Sequence, residues 1–261
     1  MKRTFLVTAL LTVMASATMA QKTFDVNVIN KSKTDRKAVP VVLDLKKYGM
    51  DVKSALVQSD GTEIPSQLDD LNGDGIFDEL CFITDISKKS ELKFSVRLMP
   101  DGKPREYKPQ VYAEMLMSNK KVKSSNKQNL YISSLTVDNG TNPYWMLHHH
   151  GPAFENEMVA YRIYFDHRQT VDIYGKYKKG LELKETQFYP DKAQKAAGFG
   201  DDILWVGETL GLGTLRGWNG NAPQMLKDVD HRTLRLVARG PLRTIVEVID
   251  KGWNTMNPGK D

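Results

Sequence analysis

"NEMVAYRIYFDHRQTVDIYGK", residues 156–176, decides the fold class. Val159, Tyr161, Ile163 and Phe165 alternate with Arg162, Tyr164 and Asp166. Val171 and Ile173 alternate with Asp172, Tyr174 and Lys176. A period of two is that of a strand with two chemically different faces. A three-residue turn at Arg168-Gln169-Thr170 pairs Phe165 with Ile173 and Tyr164 with Tyr174 and gathers the apolar residues on one side. A one-residue slip would mix the faces. The other face then carries Arg162, Tyr164, Asp166, Asp172, Tyr174 and Lys176. It is either a solvent face or a ligand-facing one, since Arg, Tyr and Asp suit sugars and carboxylates.

The same period recurs on both sides of this hairpin. Upstream lie "TFDVNVIN" (23–30), "AVPVVLDL" (38–45), "VKSALVQ" (52–58), "FDELCFIT" (77–84), "ELKFSVRLM" (91–99), "NLYISSLTV" (129–137) and "YWMLHHH" (144–150). Downstream lie "LELKETQF" (181–188), "DILWVGE" (202–208), "TLRLVARG" (233–240) and "LRTIVEVID" (242–250). Short strands separated by turn residues predict an all-β, antiparallel sandwich or barrel. "YPDKAQKAAG" (189–198) reads as the one helical turn. Residues 100–127 are polar, with "PDGKPREYKPQ" as linker or long loop. The expected division is therefore 21–104, an N-terminal β portion, and 105–261, the main one.

Residues 1–20 carry Lys2 and Arg3, a short apolar run from Phe5 to Met14, and small residues up to Ala20. That is the pattern of a secretory signal peptide, and the run is too short to span a bilayer. The expected location is secreted or periplasmic. Without Lys2 and Arg3 the basic count falls from 37 to 35 against 32 acidic residues. So even a balance does not suggest nucleic acid, and "SNKKVKSSNK" (118–127) reads as a solvated loop. Cys81 is the only cysteine, which leaves no internal disulfide and, on its apolar strand, predicts a buried inert thiol.

Three stretches could carry chemistry. In "DDLNGDGIFDEL" (69–80), Asp70, Asn72 and Asp74 recur at every second position before Gly75, and Asp78 follows. That spacing curls oxygen ligands around a hard cation such as structural calcium. The position for a bidentate Glu is Cys81, so the loop is not an EF-hand, and an Asx-rich turn is the alternative. In "WMLHHHGPAFENE" (145–157), His148 and His150 on a strand would share a side, with Glu155 as a third metal ligand. Acid–base work by a histidine and a nearby glutamate, or a polar strand end, are the other readings. The first resembles the leading metal motif of cupins but fails at Arg162, where a glycine is expected. In "GFGDDILWVGETLGLGTLRGWNGNAPQ" (198–224), Trp205 and Trp218 are stacking platforms for a sugar or core residues.

"HGPAFENEMVAYRIYFDHRQTVDIYGK", "GDDILWVGETLGLGTLRGW" and "IPSQLDDLNGDGIFDELCF" together resemble an uncharacterised domain-of-unknown-function family. Its members are secreted by polysaccharide-degrading bacteria, and the pattern of Glu157, Arg162, Tyr164, Asp172, Gly175 and Lys176 carries the likeness. The family is thought to resemble the galactose-mutarotase-like super-sandwich, whose concave sheet binds sugars. The resemblance implies a carbohydrate ligand and no organic cofactor. Its members run longer, so an incomplete C-terminal edge is expected here. A lyase or hydrolase on uronate-containing plant or algal oligosaccharides would use Arg162 or Lys176 against a sugar carboxylate. His149 or His150 with Tyr164 would serve as base and acid. Glu157, Asp172, Lys176, Trp205 and Trp218 are the candidate substrate contacts. A non-catalytic glycan-binding module and a mutarotase-like isomerase are the alternatives.

Overall fold

The computed structural model describes residues 21–118 and 130–253. Residues 1–20, read as a signal peptide, and nearly all of the basic stretch 118–127 lie outside the described residues. Among these, the regular structure is predominantly antiparallel strand in five sheets, with no barrel. That is the all-β sandwich architecture the alternation predicts.

The first portion contains β1 (Lys22–Asn30), β2 (Arg36–Asp44), β3 (Ser54–Ser59), β4 (Thr62–Ile64), β5 (Ser66–Asp69), β6 (Glu79–Ile86) and β7 (Ser90–Met99). One sheet has the order β1-β7-β3-β4 and the other β2-β6-β5. The inward residues meet in register: Phe24 opposite Val96, Val26 opposite Phe94, and Leu43 opposite Leu80. The Phe82 and Phe94 rings, 4.8 Å between centroids, join the two sheets. Burying this aliphatic and aromatic set stabilises the sandwich at roughly 25 cal/mol per Å² of apolar surface. Cys81 is buried, and burial pushes its thiol up to about 11, which keeps it protonated and inert.

The second portion contains β8 (Val111–Glu114), β9 (Ser134–Asp138), β10 (Ala153–Asn156), β11 (Val159–Ile163), β12 (Val171–Gly175) and β13 (Asp201–Asp202). The short pair β14 (Gly217–Trp218) and β15 (Pro223–Gln224) follows, then β16 (His231–Arg239) and β17 (Thr244–Lys251). A five-stranded sheet runs β13-β12-β11-β10-β8, and a three-stranded one β17-β16-β9. Between them Met115, Val137, Leu147, Phe165, Leu234 and Leu236 form a core. The two portions are joined where Gln67 accepts the backbone N–H groups of Leu242 and Arg243, and Arg243 binds Asp69 and Glu79.

The decisive hairpin forms, but in a different register. Arg162 lies opposite Asp172 and Tyr161 opposite Ile173. The Tyr164 N–H donates to the Thr170 carbonyl at 3.0 Å, so the turn is residues 165–169 rather than 168–170. Asp166 sets it by accepting the Arg168 N–H at 2.8 Å and holding the Arg168 guanidinium, which releases Phe165 into the core. The shift is even, so the two faces keep the membership the alternation gives. Their environments are the reverse of a soluble strand pair. Arg162, Asp172 and Tyr174 are buried, while Tyr161, Ile163, Val171 and Ile173 are half-exposed.

Three expected strands are not strands. "YWMLHHH" is two 3-10 turns, Pro143–Trp145 and His148–His150. Asn142 caps the first by accepting the Tyr144 N–H at 3.1 Å, and Pro143 takes its first position, both helix-start chemistry. "LELKETQF" contains the helix α1 (Leu183–Thr186), and "DILWVGE" is strand only at Asp201–Asp202. The expected helical turn is α2 (Lys192–Ala196), closed by a capping box between Asp191 and Gln194. β8 falls inside the polar stretch 100–127, directly after the segment read as linker.

Candidate functional site

The polar face of β11 and β12 is covered by α1 and the residues after it. Phe188 lies beneath the Arg162 guanidinium, 4.4 Å from carbon to ring centroid. Arg162 donates from Nε and Nη2 to Asp172 Oδ2 at 2.8 and 2.5 Å, and from Nη2 to Tyr164 at 2.8 Å and Asp202 at 3.1 Å. Nη1 donates to the Tyr189 hydroxyl. Burial opposes the charge, but Tyr189, Tyr164 and Asp172 outweigh it, and Arg162 stays firmly protonated. Burial raises the Tyr164 phenol well above its ordinary value although Arg162 pulls it down, so that hydroxyl remains a proton donor.

The histidine stretch closes over the end of β11. Gly151 makes this possible, because a Cβ there would lie 1.8 Å from the Ile163 carbonyl oxygen. His149 and His150 both take positive φ, 41° and 68°, a conformation non-glycine residues rarely hold. His150 stacks on Tyr144 at 3.7 Å, and its Nδ1 lies 2.9 Å from the Tyr144 carbonyl oxygen. A carbonyl only accepts, so Nδ1 carries the proton and Nε2 presents a lone pair. Burial lowers the His150 pKa, the Tyr144 carbonyl partly restores it, and Arg162 and Arg168 lower it further. His150 is therefore a neutral, oriented imidazole.

His149 points the other way. Its Nε2 lies 3.1 Å from Glu114, and both side chains are fully buried. The distance is that of an ion pair, but burial, then Arg162 and His150, lower its pKa to about 3. The neutral ring donates Nε2–H to the carboxylate, and its Nδ1 is left without a hydrogen-bond partner.

Tyr144, His150, Arg162, Tyr164, Tyr189 and Asp202 line a cavity of about 280 Å³ with Trp205 at its mouth. Arg168 lies 5.0 Å from the centroids of Tyr144 and Tyr164 and donates to the Gly207 carbonyl at 3.0 Å, tying the floor to the Trp205 loop. Trp205 is 94% exposed. Burial and the neighbouring Asp172 raise the Asp202 pKa against the pull of Arg162. A larger groove, about 540 Å³, runs along β17, but only Glu79 and Glu247 among its lining residues ionise. The smaller cavity is the one where chemistry-bearing groups converge.

Of the sequence-predicted residues, the structure brings His150, Arg162, Tyr164 and Trp205 to this cavity, with Asp172 behind Arg162. His149 lies beneath it. Lys176 is a structural cation inside the fold, bonded to Glu155, the Asn156 carbonyl (2.7 Å) and the Gly180 carbonyl (2.6 Å). Glu157 is exposed away from the cavity, and Trp218 stands on the β14–β15 hairpin, also outside it. Glu155 accepts the Glu182 and Leu183 N–H groups besides Lys176, so it does not join His148 and His150 as a ligand set. Among the described residues no three His, Cys, Asp or Glu side chains are placed to hold a metal.

Tyr144, Arg168, Tyr189 and Asp202 escaped the sequence reading. Asn142-Pro143 is a turn signal that could have removed Tyr144 from a strand and exposed its ring. Nothing local marks Tyr189 or Asp202.

In the Asp-rich loop, Asp70 accepts the N–H groups of Gly73 and Gly75, both at 2.7 Å, and Asn72 donates to Asp74 at 2.9 Å. These bonds draw Asp70, Asn72 and Asp74 together. Asp78 instead accepts the Leu71 N–H at 2.8 Å and faces Lys46 at 3.0 Å.

An all-β fold with one polar sheet face buried under a helical cap, and a small cavity at its edge, defines the class. Within it, the chain belongs to a family described as Domain of unknown function (DUF4861), whose profile matches residues 28–260. No curated protein and no solved structure matches the chain. Among the described residues no helix is long and apolar enough to cross a membrane.

Proposed function

We propose that the protein is a secreted carbohydrate-active enzyme, a lyase or hydrolase acting on uronate-containing oligosaccharides of plant or algal polysaccharides. The observation that carries this reading is His150, a neutral ring pinned through Nδ1, with Nε2 unprotonated, that lines an aromatic, guanidinium-bearing cavity. In an elimination, Nε2 would take the proton next to the sugar carboxylate, the carbon–oxygen bond to the departing sugar would break, and the Tyr164 hydroxyl would protonate that oxygen. Arg162 and Arg168 supply positive potential, although both are already paired with Asp172 and Asp166. The N-terminal Lys2-Arg3, apolar run and small residues support export. Stacked sheets with a polar face support a relation to the galactose-mutarotase-like super-sandwich.

The test is to incubate the purified protein with plant and algal oligosaccharides. Unsaturated-uronate absorbance and reducing ends are followed together. Turnover that disappears in His150→Ala supports the reading. Binding without turnover on any of them overturns it in favour of the glycan-binding module, which the exposed Trp205 indole independently favours. Release of neither signal, with exchange of free-sugar anomers instead, points to the isomerase.

Structural calcium at Asp70, Asn72 and Asp74 belongs to the same proposal. What supports it is the spacing of the three residues and the hydrogen bonds that gather their side chains in one loop; Asp78 is matched to Lys46 instead.

A further inference from the structure

A second cavity, of about 370 Å³, adjoins the first and has no role in the reading above. Its wall includes Asn142, Pro143, Asp166 and His167, whereas that of the first cavity includes Tyr144 and Arg168. On each of two loops the wall therefore passes from one cavity to the other between consecutive residues, about 3.8 Å of chain. The Arg168–Tyr144 contact bridges those two loops, so the cavities flank one narrow ridge.

The chemistry of the second cavity is that of hydroxyl recognition. Asn139, Thr141 and Asn142 offer amide and hydroxyl groups on a single turn, and Lys227 and Asp228 face them with one charge of each sign. Arg232, 5% exposed, forms its inner wall and is held there by Asp250 through Nε at 2.6 Å. Asp166 serves both sides, lining this cavity while its carboxylate fixes Arg168 in the other. A guanidinium held in place beside amide, hydroxyl and oppositely charged side chains matches a polyhydroxylated ring better than an apolar ligand.

We propose that the second cavity is a further sugar subsite, and that the substrate is an oligosaccharide whose reacting disaccharide unit fills the first cavity and whose next residue reaches across the Tyr144–Arg168 ridge into the second. This rests on the carbohydrate reading of the first cavity. Occupying both sides at once lets binding in the second cavity position the bond over His150, so longer chains gain in kcat/KM over short ones.

The experiment is a chain-length series, disaccharide to hexasaccharide, measured on the full protein and on Lys227→Ala and Asp228→Ala. Neither residue is in the first cavity. Thermal unfolding of both variants confirms that they fold. The expected result is a rise in kcat/KM of about tenfold or more when the chain becomes long enough to cross the ridge. The two variants should lose that gain while disaccharide turnover is unchanged. Turnover independent of chain length, or variants with unaltered length dependence, overturns the subsite and leaves the function standing. If no oligosaccharide is bound or turned over, the carbohydrate reading fails and the subsite with it.

Discussion

Replacing Asp172 with alanine tests whether the buried polar face is a structural device. The side chain is fully buried and accepts twice from Arg162, whose own side chain is 4% exposed. Without it a guanidinium remains in the interior. Breaking a buried pair costs about 3–5 kcal/mol because the surviving charge keeps its desolvation penalty. Asp202 at 3.1 Å and the three rings around the guanidinium recover part of this, which places the loss near the lower end, at about 3 kcal/mol. For a domain of this size each kcal/mol moves the melting temperature by about 2–4 °C, so the expected fall is roughly 6–12 °C. Asp172→Asn keeps an oxygen for the Ile173 N–H, which Asp172 Oδ1 now accepts at 2.8 Å, and should lose about half as much. The assay is thermal unfolding by circular dichroism, with Asp85→Ala as control, since its partner Lys37 and Asp85 itself are well exposed and the change should be undetectable. A fall of under about 2 °C for Asp172→Ala, indistinguishable from that control, would refute the reasoning.

Three further outcomes are expected. His150 must be neutral to act as a base, and its pKa lies below the ordinary 6.5, so the acidic limb of the kcat/KM profile should fall below pH 6.5 and vanish with activity in His150→Gln; a limb above pH 7 contradicts the assignment. His149 is neutral in the fold down to about pH 3 but takes a proton near 6.5 when unfolded, so its burial costs stability as pH falls from 6.5 toward 3. Melting temperature should therefore slope downward from pH 6.5 to 5, and more shallowly in His149→Gln; equal slopes would reject this. EDTA should lower the melting temperature of the wild type but not of Asp70→Ala, since an ion bound only to the fold stabilises it by mass action; an unchanged wild type means the loop is held by its own hydrogen bonds alone.

The alternation between 156 and 176 settled strand type and face membership, because parity survives any even change of register. It could not settle which face is covered. That depends on α1 and Phe188, which begin some seven residues past the hairpin and are held by Glu155 through the Glu182 and Leu183 N–H groups. Periodicity is local, whereas covering a face is a tertiary event, so a row of Arg, Asp and Tyr read as solvent-facing or ligand-facing turned out to be mostly interior. The same limit explains Lys176, whose ammonium has three oxygens inside the fold. Arg162, Tyr164 and His150 were legible as candidates because their types are chemically pointed, and the fold gathers them around one cavity. Tyr189 and Asp202 were not, because only the close packing of separate loops around one guanidinium makes them part of it.

Backbone conformation supplies an independent argument for the location of the site. Among the described residues, eight non-glycine positions have positive φ. Two adjacent pairs, His149-His150 and Gln187-Phe188, lie near Arg162, with the Phe188 ring 4.4 Å from its guanidinium carbon and 6.1 Å from the His149 ring, and Gln169 adjoins Arg168. Each such residue costs of order 1–3 kcal/mol and persists only where surrounding contacts over-determine it. Here they do: Nδ1 of His150 is anchored to Tyr144, the His150 carbonyl accepts the Phe165 N–H at 2.9 Å, and the Gln187 N–H reaches the Leu183 carbonyl at 2.7 Å. Keeping both pairs tight against one buried arginine fixes the His150 ring and the Phe188 face in place before any ligand arrives. That is the preorganisation the proposed acid–base chemistry would draw on.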